Sequence, residues 1–119
     1  MFYTTAVRVV SEGSNEPIPN VRVSLFDKDL VSPDDLLGTA ETGADGEAHF
    51  RFTTDDFAKD EDALDIREFP ELYAVVYGPD GSTLASTRDL ALDNRPRRHI
   101  TVTVPAQAAR ELGWVADGG

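Results

Sequence analysis

The stretch Val21–Gly38, which reads VRVSLFDKDLVSPDDLLG, decides the fold class of this chain. Its first part places Val21, Val23 and Leu25 at every second position, and other side chains alternate with them. A period of two is typical of a β-strand that buries one face. The part after the strand is a loop rich in aspartate. The stretch therefore predicts a half-buried strand that leads directly into an acidic loop.

Short strands separated by turn residues continue through the rest of the chain. The sequence GADG at 43–46 is a strong hairpin signal, and GPDG at 78–81 favours a second turn. The segment at 72–77 is apolar on both faces, which predicts a central strand. This pattern predicts an all-β fold, a seven- to eight-stranded Greek-key antiparallel β-sandwich of immunoglobulin-like type with at most one short helix. The predicted strands are Thr4–Val10, Asn20–Phe26, Leu36–Thr42, Glu47–Thr53, Leu72–Tyr77, Thr83–Arg88 and Arg98–Val104.

Two segments depart from the strand pattern. Thr54–Phe69 is rich in acidic residues, and its spacing permits either a short amphipathic helix or a solvated loop. Ala106–Leu112 predicts one or two helical turns, after which Trp114 either covers a sheet edge or stays exposed. We therefore expect a β-sandwich over residues 1–105 and a short helical or flexible tail over residues 106–119.

The composition limits the classes of function. With 119 residues the chain has room for one domain, and its lack of cysteine excludes disulfides, zinc-thiolate sites and a cysteine nucleophile. The net charge of −11 disfavours nucleic acids and anionic membranes as partners, and it favours cations or basic proteins. No apolar run predicts a membrane span, and no signal-peptide pattern opens the chain. We expect a cytoplasmic protein, or a secreted one if a signal has been removed.

The acidic loop predicts a calcium site. Asp27, Asp29 and Asp35 follow a D-x-D-x5-D spacing, and Asp34 lies beside them. Carboxylate oxygens gathered in a loop are the ligands that Ca²⁺ prefers, although other groups must complete its shell of about six to eight oxygens. Ca²⁺ is therefore the one cofactor that these residues suggest. The alternative interpretation is a hydrated turn and no cofactor.

A second group of candidate residues combines histidine with arginine. His49 and Arg51 occupy polar positions of the fourth strand, and Arg97 and His99 lie at the start of the last one. If the two strands are neighbours, these side chains form a patch that binds an anion or acts as a pH-sensitive interface. The alternative is a pair of exposed histidines on a solvated sheet face, where polar residues are the rule.

Tyr73, Val75 and Tyr77 share one face of the predicted central strand. That face either belongs to the core or forms an association surface, because aromatic residues are enriched at interfaces. Of the two, we expect the core.

Three spaced segments resemble the transthyretin-like (prealbumin-like) β-sandwich domains. They are Thr5–Val7, Glu16–Val23 with a P-x-x-N-V-x-V pattern, and Leu37–Phe50 with a T-x-x-D-G-x-x-x-F hairpin. The aspartate-rich loop and the strand at 72–77 especially resemble the transthyretin-like proteins of nematodes, whose cysteines this chain lacks. The resemblance covers residues 4–104. It implies a transthyretin-like sandwich that acts by binding and self-associates through sheet edges.

An enzymatic branch of this fold, the 5-hydroxyisourate hydrolases, is similar to the chain in the first strand and the hairpin. Ala6 stands where those enzymes have a histidine, and Glu47 stands where they have an arginine. His99 matches the histidine of their last strand, whereas Val115–Gly119 differs from their Y-R-G-S ending. A lone imidazole positions a water poorly. The resemblance therefore implies that this catalytic set is largely absent, and it assigns no catalytic residue.

These observations predict a non-enzymatic binding or assembly module. It would recognise a protein partner, a second copy of itself or a small ligand through its loops or a sheet face. A calcium-binding sandwich that uses Asp27, Asp29 and Asp35 is the first alternative. A hydrolase related to the hydroxyisourate enzymes, centred on His99 and His49, is the second.

Overall fold

The computed structural model describes residues 2–28, 33–53, 72–88 and 99–114. Each of the seven predicted strands is confirmed, two with the expected bounds and the others within two residues of them. The predicted helix or acidic loop at Thr54–Phe69 lies outside the described residues. The described elements, in chain order, are β1 (Phe2–Ser11), β2 (Arg22–Asp27), β3 (Asp35–Glu41), β4 (Glu47–Thr53), β5 (Leu72–Tyr77), β6 (Thr83–Ser86), β7 (His99–Val104) and α1 (Ala106–Glu111).

The strands form two packed sheets, one in the order β4-β1-β7 and the other in the order β3-β2-β5-β6. The described strand pairs are antiparallel except for β1 and β7, which run parallel. A parallel pair needs a long connection, and here the chain passes through the second sheet between the two strands. The predicted all-β sandwich is confirmed, and this parallel pair is its one difference from a fully antiparallel arrangement among the described strands.

The core lies between the sheets and is built from the inward positions of both. In β2, Val23 and Leu25 are fully buried and Arg22 is exposed, as the alternation predicts, whereas Ser24 on the outer face is also buried. Strands β4 and β7 also bury every second residue. Each buried aliphatic or aromatic side chain contributes about 1.5–3 kcal/mol through the hydrophobic effect. The core cluster consists of Val7, Val9, Ile18, Val21, Val23, Leu25, Ala48, Phe50, Phe52, Leu72, Ala74, Val76, Ile100, Val102, Val104 and Ala109.

Strand β5 is buried on both faces and lies in the interior of its sheet, as predicted. Every second residue from Leu72 belongs to the core between the sheets. Tyr73 and Val75 are buried on the outer face, where Phe26 stacks on Tyr73 with ring centroids 5.2 Å apart. Tyr73 and Val75 are therefore buried as expected, but they lie outside the cluster between the sheets, and Tyr77 is half-buried. A strand that is apolar on both faces does not reveal its inner face by alternation.

The hairpin between β3 and β4 determines how β4 lies along β1. Gly46 has a φ of +76°, and a Cβ atom there would lie 2.7 Å from the Cβ of Pro17 and 2.9 Å from the carbonyl oxygen of Val9. The Gly46 carbonyl accepts a 2.8 Å hydrogen bond from the Val9 N–H. A side chain has no room in this close approach. The hairpin therefore anchors the start of β4 against β1, and the register continues along both strands.

Helix α1 packs against the sandwich through Ala109, which is fully buried in the core cluster. The helix ends in a Schellman motif at Gly113, which has a φ of +73° and donates its N–H to the carbonyl of Arg110. The N–H of Trp114 bonds to the carbonyl of Ala109 at 2.9 Å, and the indole packs on the core. The described part of the segment beyond residue 105 is thus a helix and a tryptophan that cover the core. Within the described ranges, no helix has the length and apolar character needed to cross a bilayer.

Candidate functional site

The two histidines of the chain lie in one row on the outer face of the β4-β1-β7 sheet. Ala6 of β1 is the register partner of His49 in β4 and of His99 in β7. Core residues alternate with these three positions, so their side chains point away from the core. Neighbouring strands are about 4.8 Å apart, which places the two histidine backbones roughly 10 Å apart across the alanine. β4 and β7 therefore lie on either side of β1 and are not direct neighbours.

The small side chain of Ala6 leaves a depression between the histidines. One row further along the face, Thr4 is the register partner of Arg51. Three of the four residues predicted for the histidine and arginine patch thus lie around one cavity, and Arg97 lies outside the described residues. The cavity has a volume of about 400 Å³, is open to solvent, and is lined by Thr4, Thr5, Ala6, Glu47, His49, Phe50, Arg51 and His99.

The charges around this cavity are arranged unevenly. On one side, the Nε2 atom of His49 lies 3.7 Å from a carboxylate oxygen of Glu47. On the other side, the imidazole of His99 makes no hydrogen bond or ion pair within the described residues. Arg51 is exposed and adds a guanidinium on the adjoining row. The cavity therefore has an imidazole on each side, a guanidinium on the adjoining row and the carboxylate of Glu47 at its margin.

One group of potential metal ligands lies at the margin of the cavity. Asp45, Glu47 and His49 each offer one ligand atom, and these atoms all lie within 4.8 Å of one another. Nitrogen and oxygen ligands of this kind suit divalent cations. Asp45 already accepts the N–H of Glu47 at 3.0 Å within the hairpin turn, so the turn itself accounts for its position. No motif in the sequence pointed to this group.

The residues predicted to bind calcium do not share one environment. Asp27 is fully buried at the end of β2, where it is the register partner of Asp35 in β3. Asp34 lies in the loop before β3 and is hydrogen-bonded to Tyr73 of β5 and to Arg88, which follows β6. Asp29 lies outside the described residues. The calcium site stays a prediction.

Asp34, Tyr73 and Arg88 form a hydrogen-bonded group, here called the Asp34 cluster, on the outer face of the second sheet. The Tyr73 hydroxyl donates to Oδ2 of Asp34, and Nε of Arg88 donates to the same oxygen at 2.9 Å. The guanidinium carbon of Arg88 lies 5.9 Å from the centroid of the Tyr73 ring. Burial, followed by the hydrogen bond to Asp34, raises the pKa of Tyr73 to about 12. The cluster therefore keeps its tyrosine protonated and ties the loop before β3 to β5.

Sequence reasoning did not identify Ala6 and Thr4 as part of the site. An alanine and a threonine carry no recognisable binding chemistry, and what they contribute here is space. The resemblance to the hydroxyisourate hydrolases was the one available signal, because it places a functional histidine at the position of Ala6. That resemblance showed that a histidine is missing at position 6, but it did not indicate a depression there.

Comparisons with known proteins support the fold alone. No family model and no curated protein matches the chain. A 9R-lipoxygenase from Cyanothece PCC8801 matches in structure with a TM-score of 0.59 and 18% identity, over 87% of this chain and 16% of the lipoxygenase chain. An alternative pilotin from the type II secretion system of Vibrio cholerae matches with a TM-score of 0.50 and 12% identity, over 88% of this chain and 96% of its own. These neighbours differ in function from each other, so the transthyretin-like resemblance stays a prediction.

Proposed function

We propose that this chain is a β-sandwich binding domain, transthyretin-like in its sequence motifs, that binds a small anionic ligand on the outer face of the β4-β1-β7 sheet. The observation that supports this proposal is the row of His49, Ala6 and His99. It places two imidazoles on either side of a depression. A carboxylate or phosphate group above Ala6 would lie between the imidazoles, with Arg51 on the adjoining row.

Local charge determines what this face attracts. The net charge of −11 repels large polyanions, because their charge extends over the whole surface. A small anion interacts mainly with groups inside one Debye length, about 8 Å at physiological salt, and here these groups include the two imidazoles, Arg51 and Glu47. Glu47 lies beside His49 and would direct the anionic group toward His99. The preferred ligand is therefore small and has one compact anionic group.

A hydrolase is the second candidate, and one observation favours it. His49 and His99 line the same cavity, so an imidazole lies on each side of the position where the related hydrolases have a histidine. Two imidazoles around one water could share the work of positioning it and accepting its proton. We rank binding first, because Ala6 and Glu47 replace two residues of the hydrolase set. Turnover of 5-hydroxyisourate that is abolished by His99→Ala would reverse this ranking.

The two histidines provide a direct test, since their imidazole proton NMR signals report on this face alone. We expect inorganic phosphate or benzoate to shift both signals saturably. Arg51→Gln should weaken binding by about tenfold, the usual worth of a hydrogen bond to a charged group.

Arg22→Gln is the matched control, because it removes a guanidinium from the opposite sheet. It should leave the affinity for both anions unchanged. A divalent cation held by Asp45, Glu47 and His49 would shift the signal of His49 and leave that of His99 in place. The proposal is wrong if neither anion shifts both signals, or if the two arginine variants weaken binding equally.

A further inference from the structure

A second cavity lies on the other sheet, at the end of the sandwich where β2, β3, the turn after β5 and the segment after α1 meet. Its volume is about 250 Å³. Two aromatic side chains, Tyr77 and Trp114, contribute to its wall together with Asn20, Arg22 and Glu41. None of these residues belongs to the histidine row, so binding in this cavity is independent of the anion site.

Backbone structure holds the wall of this cavity in place. Asn20 has a φ of +59°, and its N–H bonds to the carbonyl of Thr42 at 2.9 Å. The Schellman motif holds the backbone of Trp114 against the core. Tyr77 ends β5 and leads into the turn at 78–81, which closes with a 2.9 Å hydrogen bond. Residues positioned in this way lose little entropy when a ligand binds.

The polar side chains of the wall are available to a ligand. The guanidinium carbon of Arg22 lies 5.2 Å from the centroid of the Tyr77 ring, so the ring helps to orient it. Glu41 is the register partner of Arg22 on β3. In the part of the chain that the structure describes, the side chains of Asn20, Arg22 and Glu41 make no hydrogen bond or ion pair. Arg22 can therefore donate hydrogen bonds, Glu41 can accept them, and the amide of Asn20 can do both, next to the aromatic side chains of the wall.

We propose that this cavity binds a neutral saccharide, with one pyranose ring against Trp114 and its hydroxyls toward Arg22 and Glu41. One face of a pyranose carries C–H groups that pack on aromatic rings, while its rim carries hydroxyls that both donate and accept hydrogen bonds. Arg22 can donate to one of two adjacent hydroxyls, and Glu41 can accept from the other. The charges of Arg22 and Glu41 cancel, which favours an uncharged ligand over an anion or a cation.

The size of the cavity distinguishes a sugar from a peptide. A proline-rich peptide also binds to aromatic walls, but it requires an extended groove that accommodates several residues. This cavity is compact, and Arg22 already covers one face of the Tyr77 ring. A single ring with hydroxyls at its edge fits better than an extended chain.

The experiment uses Trp114, the one tryptophan of the chain, as a fluorescent reporter within the cavity. The full chain is titrated into the millimolar range with D-glucose, D-galactose, D-mannose and N-acetyl-D-glucosamine, each in turn. Glycerol at equal concentration is the control for bulk hydroxyl effects, and a proline octapeptide tests the competing ligand class. We expect a saturable change in Trp114 emission with at least one of the sugars and a change that does not saturate with glycerol.

Two variants that each remove one charge locate the binding. Glu41→Gln and Arg22→Gln should each weaken sugar binding by about tenfold, since each removes a charged hydrogen-bond partner. Glu47→Gln and Arg51→Gln make the same chemical changes on the opposite sheet and should leave the affinity for the sugar unchanged. Circular dichroism checks that all four variants are folded.

Three results would overturn the proposal. The first is the absence of a saturable change with every sugar. The second is saturation by the proline peptide alone, which would make this a peptide site. The third is a sugar affinity that Glu41→Gln and Arg22→Gln leave unchanged, which would place the binding elsewhere.

Discussion

The outer faces of the two sheets use their polar side chains in different ways. On the β3-β2-β5-β6 sheet, Asp34, Tyr73 and Arg88 bond to one another in the Asp34 cluster. On the β4-β1-β7 sheet, two imidazoles lie on either side of the small Ala6, around a cavity open to solvent. The first arrangement joins segments that are distant in sequence, and the second surrounds a space.

The difference shows that, in one small domain, some polar groups stabilise the fold while others stay available for a ligand. Polar groups that bond to one another contribute to stability, because their hydrogen bonds form when the chain folds. Polar groups placed around a depression contribute little to the fold and keep their capacity for a ligand. We therefore expect substitutions in the Asp34 cluster to change stability and substitutions in the histidine row to change binding.

The largest expected effect tests how the histidine row is assembled. Gly46→Ala adds a Cβ atom 2.7 Å from the Cβ of Pro17 and 2.9 Å from the carbonyl oxygen of Val9. Strain at positive φ and overpacking together should lower the free energy of unfolding by about 3 kcal/mol. Urea unfolding measures this change, and the imidazole NMR signals of the variant should move because β4 loses its anchor on β1.

Gly13→Ala is the matched control for this substitution. Gly13 also has a positive φ of +89°, but nothing lies within 4 Å of the position of an added Cβ atom. The loss should be about 1 kcal/mol, which is the cost of the backbone conformation without a clash. Equal losses in the free energy of unfolding of the two variants would mean that the close approach at Gly46 does not contribute to the destabilisation.

The next effect tests whether the histidine row binds through its depression. Ala6→Leu places a larger side chain between the two imidazoles and should weaken binding of phosphate and benzoate by about tenfold or more, because it occupies the ligand's space. Ala6 is only 8% exposed, so overpacking should also lower the free energy of unfolding by about 1–2 kcal/mol. NMR titration measures the affinity. Thr103→Leu, on the same sheet face but away from the cavity, should leave it unchanged.

The smallest effect tests the Asp34 cluster. Tyr73→Phe removes one hydrogen bond and should lower the free energy of unfolding by about 1 kcal/mol at neutral pH. The folded state keeps the Tyr73 proton up to a pKa of about 12, whereas an unfolded tyrosine loses its proton near about pH 10. The contribution of Tyr73 is therefore complete below about pH 10 and is lost as the pH rises through the folded pKa.

Unfolding measured from neutral pH to alkaline pH checks this sign. Tyr73→Phe should flatten the alkaline fall in stability, and Tyr77→Phe, on the same strand, should keep it. A fall of equal size in both variants would show that the cluster does not hold the tyrosine proton.

Most of the fold could be predicted, because it depends on local alternation. The period of two in β2, β4 and β7 predicted which residues reach the core, and the structure buries those residues. Strand β5 was the exception, since it is apolar on both faces. Its inner face depends on which neighbours cover it, and Phe26 and the Asp34 cluster cover the face that carries Tyr73.

The candidate site could be predicted only in part. Alternation indicated that His49 and His99 point outward, but it could not predict whether they lie near each other. Arg97 and Asp29 lie outside the described residues, and self-association through sheet edges stays a prediction. The second cavity was not predicted, because Arg22, Tyr77 and Trp114 come from three separate parts of the chain.

The sequence by itself determined the all-β class, the bounds of the strands to within two residues and the outward direction of the two histidines. The tertiary structure decided that β1 lies between β4 and β7, that Ala6 separates the histidines and that Trp114 joins Tyr77 at one end of the sandwich. The physical reason is that side-chain direction along a strand is set by local backbone geometry. Strand order and register, in contrast, depend on pairing between residues far apart in the chain, which no local pattern specifies.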